Sequence, residues 1–336
     1  MTLSPDSQAL LLLCSHLALP STTEVKPLTL KEWNPLMGKL KSLSKRPEDL
    51  LGQNAEELKR LLEIAEKEAE RIARLLERGG SIAIELERLE SQGIHVLTRV
   101  DPDYPTRYKK RLKEKSPVIL FYAGEKALLG QPGIAVVGSR NLDDTGKAVA
   151  EFLGNACGVS GWVLYSGGAK GVDTISMKAS LDARGSAVGI LANALTEEIK
   201  YPQKRKACSS GDLCLVTPYS PDAPFSVGAA MGRNKLIYAL ADYAIVVASD
   251  TGKGGTWAGA TEALKAKWVP VFVVVHDQTP PGNQKLIEQG ALQFPYPFPE
   301  SPNRLEEWLK SHSKTWLESH SAAPQPDATQ PSLFGN

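Results

Sequence analysis

The apolar positions in the middle of the chain form short continuous runs and do not alternate with polar residues. Runs of this kind are typical of β-strands that are buried on both faces of a parallel sheet. Helical patterns separate the runs, and this alternation predicts an α/β fold with a mostly parallel sheet and helices on both faces. The predicted strands are Gly133–Val137, Trp162–Tyr165, Ala187–Leu191, Leu213–Thr217, Tyr243–Ala248 and Pro270–Val275, with helices at Gly146–Val159, Asp173–Arg184, Asn234–Ala241 and Thr256–Ala266.

The residues before this region follow a helical period instead. Apolar positions between Asn54 and Gly79 recur about every 3.6 residues and predict one helix, which Gly79 and Gly80 would end. We therefore expect a small helical N-terminal domain at 1–93, an α/β domain at 94–300, a short C-terminal helix at 301–318 and a disordered tail at 319–336. Two shorter strand candidates, Ile94–Leu97 and Pro117–Tyr122, open the α/β domain.

Composition narrows the classes of function. The chain has 336 residues, and 39 Lys and Arg balance 38 Asp and Glu, so any nucleic-acid site must be a local patch and not a global field. The apolar run Ala9–Cys14 is short. A signal peptide has Lys or Arg before its apolar segment, whereas this run is preceded by Asp6. The four cysteines form no CxxC pair. We expect a cytoplasmic protein with no membrane span and no metal site.

Four glycine-rich or cationic loops contain the candidate chemistry. Three follow predicted strands, at Gly138-Ser139-Arg140, Ser166–Asp173 and Gly252–Thr256, and Arg233-Asn234-Lys235 precedes a predicted helix. Ligands of open parallel sheets bind at the carboxyl ends of the strands, where exposed amides and cations suit phosphate. None of the loops has the Walker A or GxGxxG spacing. The convergence of the loops at one edge predicts an anion site.

Three of these loops also have an ordinary structural interpretation. Gly138 can mark a plain strand-to-helix turn, and Asp173 can cap the helix that follows it. Asn234 can cap its own helix, which would place Arg233 and Lys235 near a positive helix end that an anionic ligand would neutralise. The two cations can equally be solvated surface charges.

The predicted site binds and does not catalyse. No catalytic residue, cofactor or metal ligand is assigned, and affinity should fall with salt as neutralised phosphates release counterions. Tyr219 or Trp257 could stack a base, although core packing is the competing interpretation for both. The predicted phosphate-binding residues are Gly138, Ser139, Arg140, Ser166, Gly167, Gly168, Lys170, Gly171, Arg233, Asn234, Lys235 and, more weakly, Lys253.

Taken in order, these motifs resemble the DprA/Smf family across about residues 94–291. The resemblance is carried by Tyr104-Pro105, Pro117–Gly124, Val137–Arg140, Ser166–Thr174, Tyr201-Pro202, Arg233-Asn234-Lys235, Gly282-Asn283, Leu286-Ile287 and Gly290-Ala291. It implies a Rossmann-like domain, binding of single-stranded DNA, a homodimer and loading of a RecA-type recombinase, in many bacteria during natural transformation.

The chain departs from the family pattern at several positions. Lys235 replaces the last arginine of the usual Arg-Asn-Arg, which keeps the charge but loses the bidentate fork. Thr217-Pro218-Tyr219 stands where Ser-Glu-Tyr is usual, and Gly252–Thr256 replaces an SGS-like loop. We find neither a helix-hairpin-helix signature near the N-terminus nor a C-terminal winged-helix pattern.

Two further resemblances suggest other activities. Gly254-Gly255-Thr256 with Glu262 is similar to the GGxGTxxE signature of LOG-type nucleotide phosphoribohydrolases, although the spacing to Glu262 is longer. A nucleotide-binding protein or nucleotide N-glycosidase is therefore the alternative function. In the tail, Gln330, Leu333 and Phe334 resemble the QxxLF peptide that docks on the DNA sliding clamp.

Overall fold

The computed structural model describes residues 3–19 and 25–321. Within these ranges the strands are β1 (Ile94–Thr98), β2 (Ile119–Gly124), β3 (Gly133–Val137), β4 (Val163–Ser166), β5 (Ala187–Ile190), β6 (Leu213–Thr217), β7 (Tyr243–Val246), β8 (Val271–Val275) and β9 (Leu292–Pro295). The helices are α1 (Pro5–Cys14), α2 (Leu30–Ser42), α3 (Ala55–Leu62), α4 (Glu66–Leu76), α5 (Gly79–Ser91), α6 (Thr106–Leu112), α7 (Asp144–Ser160), α8 (Val172–Asp182), α9 (Leu195–Glu198), α10 (Pro202–Ser210), α11 (Val227–Leu240), α12 (Gly254–Ala266), α13 (Pro281–Glu288), α14 (Leu305–His312) and α15 (Lys314–Ser321).

All nine described strands belong to one sheet, in the order β1-β2-β6-β5-β4-β3-β7-β8-β9. The seven strands β3 to β9 are parallel to one another, and β2 pairs antiparallel with β6 at one edge of this parallel part. The chain leaves β3 toward β4 on one side, whereas β7 lies on the other, so the strand order reverses between β3 and β7. Ligands of doubly wound sheets bind at such a reversal. The predicted Rossmann-like α/β fold is confirmed.

Two apolar cores cover the two faces of the sheet. On one face α7, α8 and α14 pack together with helices from the N-terminal region, through residues such as Leu153, Met177 and Trp308. On the other face α6, α11, α12 and α13 pack through residues such as Tyr108 and Leu236. Both layers leave the carboxyl ends of the central strands open.

Several predicted boundaries were wrong. The helix predicted between Asn54 and Gly79 is divided into α3 and α4 at Glu63, whose φ of 53° lies in the left-handed region. Strand β9 lies in a proline-rich stretch where no strand was predicted. The predicted helix Asn234–Ala241 begins at Val227 instead, because the Ser226 hydroxyl accepts a hydrogen bond from the Ala229 amide and caps the helix there.

None of the helices in the described ranges reaches the length and hydropathy that a bilayer crossing needs. The division into domains at 93, 300 and 318 stays a prediction. The proposed clamp motif at Gln330, Leu333 and Phe334 lies outside the described residues.

Candidate nucleic-acid interface

A cavity of about 390 Å³ opens at the carboxyl ends of β3 and β7, where the strand order reverses. All four predicted segments contribute to its wall, and the fourth does so as part of α11, which lines the cavity between Val227 and Tyr238. The wall contains Gly138, Ser139, Arg140, Asn141, Ala169, Asp173, Phe225, Val227, Met231, Arg233, Asn234, Lys253, Gly254, Gly255 and Thr256, among others. The loops that are far apart in sequence therefore meet, as the sequence predicts.

The loop after β3 is held tightly against its neighbours. A Cβ atom at Gly138 would lie 2.5 Å from Cγ2 of Val172, so only glycine fits there. The Ser139 carbonyl oxygen accepts a hydrogen bond from the Val172 amide at 3.3 Å. Arg140 extends from this loop into solvent, with its guanidinium carbon 5.3 Å from the centre of the Phe225 ring. Arg140 is thus an exposed cation beside an aromatic face.

The start of α12 forms the facing wall. Lys253 precedes the helix and is exposed, and Gly254 and Gly255 form its first turn. The Asn234 side-chain amide donates to the Gly255 carbonyl oxygen at 2.9 Å. Asn234 therefore supports the α12 entrance and does not cap α11. The positive end of the α12 dipole and the Lys253 ammonium lie at one side of the cavity, an arrangement that attracts anions.

The loop after β4 is mostly internal. Ser166 donates its hydroxyl to the Val136 carbonyl oxygen at 2.6 Å, and the Gly167 amide donates to the Asp173 carboxylate at 3.1 Å. Ser166, Gly167 and Gly171 are buried, whereas Gly168 is half-buried and Lys170 is exposed. The prediction that the Gly167 amide is a free phosphate donor was wrong, because Asp173 already occupies it. Lys170 lies outside the described cavity wall.

Asp173 does not cap α8 as the sequence suggested. The helix begins one residue earlier, at Val172, and the carboxylate turns back to accept from the amides of Gly167 and Ala169. Burial raises the pKa of the Asp173 carboxyl above its ordinary value of 3.8, while the nearby Arg233 guanidinium and the two amides act in the opposite direction. The buried carboxylate therefore holds the backbone of the loop after β4 in place through these two hydrogen bonds.

Arg233 lies inside the protein and not on its surface. Only 4% of the residue is exposed, and Nη1 donates to the carbonyl oxygens of Gly167 and Ile190. Burial lowers the pKa of the guanidinium below its ordinary value. The predicted position near a helix N-terminus was wrong, because α11 begins at Val227. Arg233 connects the loop after β4 to α11, and its contact with phosphate stays a prediction.

Lys235 points away from the cavity. It lines a separate groove of about 510 Å³ on the other side of α11, together with Lys115 and Tyr219. Burial lowers the pKa of the Lys235 ammonium, Glu262 opposes that shift, and repulsion by Lys115 adds to it. The side chains of Arg233 and Lys235 thus lie on different sides of α11.

An exposed apolar cluster at the cavity mouth was not predicted. Phe225, Val227 and Met231 are 49%, 72% and 41% exposed, and all three line the cavity. The two predicted stacking residues pack instead: Tyr219 donates its hydroxyl to the Ala229 carbonyl oxygen at 2.8 Å, and Trp257 packs against the core. A phenylalanine between Pro224 and Ser226, outside any apolar run, was the available signal for Phe225.

Glu262, on which the alternative enzymatic function depends, lies farther along α12. It is not among the described residues of the cavity wall, and its electrostatic partner is Lys235 on the far side of α11. The geometry therefore gives the glycosidase alternative no support.

A family model described as DNA recombination-mediator protein A matches residues 95–296. The chain is 30% identical to DNA processing protein DprA of Bacillus subtilis over 213 residues, which are 61% of this chain and 70% of that protein. It is 28% identical to Streptococcus pneumoniae DprA over 52% of this chain and 63% of that protein. The matched region thus spans 70% of the Bacillus subtilis relative and 63%, less than two thirds, of the Streptococcus pneumoniae relative.

Solved structures agree with the sequence comparisons. The X-ray structure of Streptococcus pneumoniae DNA processing protein A has a TM-score of 0.62 at 22% identity, covering 87% of this chain and 95% of that one, and it shows the fold. DNA processing protein A of Helicobacter pylori, which binds single-stranded DNA, has a TM-score of 0.52 at 25% identity over 65% of this chain and 97% of that one. The chain belongs to the DNA recombination-mediator protein A family, also known as DprA/Smf.

Proposed function

We propose that this protein binds single-stranded DNA at the cavity between β3 and β7. The observation that carries the proposal is the meeting of Arg140, Lys253 and the α12 N-terminus around one opening. Two exposed cations and a positive helix end are suited to phosphate oxygens. The family assignment and the single-stranded DNA bound by the Helicobacter pylori relative support the same conclusion.

The exposed apolar cluster of Phe225, Val227 and Met231 favours a single strand over a duplex. Bases of a single strand are free to lie against apolar and aromatic side chains, whereas duplex bases are stacked on each other. Phe225 lies directly beside Arg140, so a backbone phosphate and its base could be held by neighbouring side chains. Binding of this kind depends little on sequence, because every base has an aromatic face.

The experiment is a salt series of fluorescence anisotropy with single- and double-stranded oligonucleotides of equal length. Arg140→Ala and Lys253→Ala should weaken binding to the single strand and reduce the slope of log affinity against log salt by about 0.7 each. Lys67→Ala is the matched control, since Lys67 is exposed on α4 and lies outside the cavity wall. Equal affinity of the wild type and both site variants at every salt concentration would refute the proposal.

We further propose that the bound strand is delivered to a RecA-type recombinase in the cytoplasm, and that the protein acts as a homodimer. A dimer would place two cavities on one strand and raise the avidity for it. The test is assembly of recombinase filaments on DNA covered by single-strand binding protein, with wild type and Arg140→Ala compared at equal concentration. Filament assembly that the wild type does not accelerate would refute recombinase loading and leave DNA binding intact.

Docking on the sliding clamp is a separate proposal that rests on Gln330, Leu333 and Phe334 alone. Removing residues 330–336 should abolish binding to the clamp and leave the affinity for single-stranded DNA unchanged. Clamp binding that persists without these residues would end this proposal.

A further inference from the structure

A concentrated run of cations lies outside the candidate site. The ten residues from Thr106 to Lys115 contain six Lys or Arg and one acidic residue, Glu114. This contrasts with the chain as a whole, in which acidic and basic residues nearly balance. The run forms α6 and the short 3-10 turn that follows it, Lys113–Lys115.

The arginines of this run point inward, and each is neutralised or bonded there. The Arg107 guanidinium pairs with the Asp242 carboxylate at 2.9 Å. Arg111 donates to the Ala239 carbonyl oxygen at 3.0 Å and also to that of Ala241. These bonds fix α6 against the end of α11, so the cations on the opposite side of α6 have a rigid base.

Three of the four lysines of the run face solvent and lack counterions within the described residues, whereas the fourth, Lys109, lies over the Tyr104 ring, 5.5 Å from its centre. Lys110, Lys113 and Lys115 are exposed, and none of them forms an ion pair within the described chain. Several exposed lysines on other helices, such as Lys147, Lys178 and Lys285, do have a carboxylate partner. An uncompensated row of ammonium groups suits a polyanion.

This row leads toward the candidate site. Lys115 and Lys235 line the same groove, in which Tyr219 and Gly232 also take part. Gly232 is exposed and follows Met231, which lines the cavity. The groove and the cavity thus lie on either side of one exposed turn of α11, and a strand that leaves the cavity over Met231 meets Lys235 and then Lys115.

We propose that Lys110, Lys113, Lys115 and Lys235, here called the lysine track, bind the single strand after it leaves the cavity. The proposal rests on the proposed function, since it extends the same DNA path from the carboxyl ends of the strands along the outer side of α6. The groove supplies apolar surface for bases beside Tyr219, and the lysines supply charge for phosphates. We therefore expect the lysine track to raise the affinity for long single strands and not for short ones.

The test compares two strand lengths. Single-strand binding folds cover about 4–16 nucleotides, so a strand of about 5 nucleotides should fill the cavity and one of about 25 should also reach the lysine track. The triple variant Lys110→Ala, Lys113→Ala and Lys115→Ala should bind the long strand about tenfold more weakly, with a salt slope lower by about 2 (three contacts at about 0.7 each). It should bind the short strand as the wild type does.

The matched control removes three exposed cations from the other face of the sheet, through Lys67→Ala, Arg205→Ala and Lys206→Ala. If the control weakens long-strand binding as much as the track variant, or the track variant binds like the wild type, the lysine track is refuted. An equal loss for a duplex of the same length would refute its assignment to a single strand. Failure of the wild type to bind the short strand would instead refute the proposed function.

A charge-reversed variant strengthens the test. Substituting Glu at the same three positions should weaken long-strand binding more than Ala does, since each substitution then adds repulsion. Thermal unfolding of every variant checks that the fold is kept, and all three side chains are exposed, so little stability should be lost.

Discussion

Thr256 on α12 donates its hydroxyl to the carbonyl oxygen of Gly138 at 3.0 Å, across a separation of 118 residues in sequence. This bond joins the two loops that form opposite walls of the cavity, the one after β3 and the one that opens α12. The distance between Arg140 and Lys253 therefore depends on a contact between two uncharged groups. Pre-positioned cations bind a strand more tightly than mobile ones, because less side-chain and loop entropy is lost on binding.

Thr256→Val should weaken DNA binding without changing any charge. The substitution keeps the shape of the side chain but removes the hydrogen bond, at a cost in stability of about 1 kcal/mol. Affinity for the single strand should fall several-fold, while the salt slope should match that of the wild type. Thr251→Val is the control, since Thr251 is an exposed residue of the same loop region. A reduced salt slope in Thr256→Val would contradict the explanation.

Gly171→Ala should displace the loop after β3, which carries Arg140. Gly171 has a φ of +93°, and a Cβ atom there would lie 2.4 Å from the Ser139 carbonyl oxygen and 2.7 Å from Cα of Arg140. The alanine must therefore displace the backbone that carries Arg140. We expect a lower melting temperature and a loss of single-strand affinity comparable to that of Arg140→Ala.

Gly211→Ala is a control that introduces backbone strain without displacing neighbouring atoms. Gly211 has a similar φ of +86°, but a Cβ atom there meets nothing within 4 Å. This variant should lose about 1–2 kcal/mol of stability from the left-handed conformation and keep its affinity for DNA. Equal DNA affinities of the two alanine variants would show that the contact with Ser139 does not position Arg140.

The sequence predicted the meeting of the loops because the topology of a parallel sheet decides it. Continuous apolar runs identify buried strands, and the carboxyl ends of such strands lie at one edge whatever the side chains are. Gly138 and Gly254 were placed at the cavity by this argument alone. The topology of the sheet does not determine the direction of individual side chains on α11.

Arg233 and Lys235 show why. They are two residues apart on a helix, so they point to different sides, and only the true start of α11 decides which side faces the cavity. Ser226 caps the helix in a loop that contains no apolar period, and a helix start placed at Asn234 reversed the expected exposure of Arg233. Phe225 was missed for the related reason that loop side chains follow no period.

Asp173 should make stability depend on pH in the direction opposite to a carboxylate whose pKa is lowered by folding. Burial raises the pKa of its carboxyl, so between 3.8 and the higher pKa of the folded state the folded protein binds more protons than the unfolded chain. The free energy of unfolding attributable to Asp173 therefore falls as the pH rises through this window and is constant above it. Relative to the wild type, Asp173→Asn should gain stability as the pH rises across the same window.

Urea unfolding of both proteins at a series of pH values checks this. An Asn side-chain oxygen can still accept from the amides of Gly167 and Ala169, and loss of the charge beside Arg233 should add a cost that does not vary with pH at neutral and higher values. Asp277→Asn, at an exposed loop position, controls for the substitution itself. If the free energy of unfolding of Asp173→Asn stays level with that of the wild type, or falls relative to it, as the pH rises across this window, the assignment is contradicted.

Arg140 and Phe225 should contribute to binding through different physical terms. The guanidinium carbon lies 5.3 Å from the centre of the aromatic ring, so the two side chains form one exposed surface. Arg140→Ala removes a charge and should lower both the affinity and the salt slope, the latter by about 0.7. Phe225→Ala removes stacking worth about 1–3 kcal/mol per base and should lower the affinity while the slope stays constant.

Arg140→Lys distinguishes the charge from the planar group. Lysine keeps the salt slope, but it has no flat face to pack on Phe225 and no fork for two phosphate oxygens. Its affinity should therefore lie between those of the wild type and Arg140→Ala. In an Arg140→Ala and Phe225→Ala double variant, the loss should be smaller than the sum of the single losses, because each residue positions the other. Strictly additive losses would mean that the contact between the two side chains has no part in binding, and that phosphate and base are recognised independently.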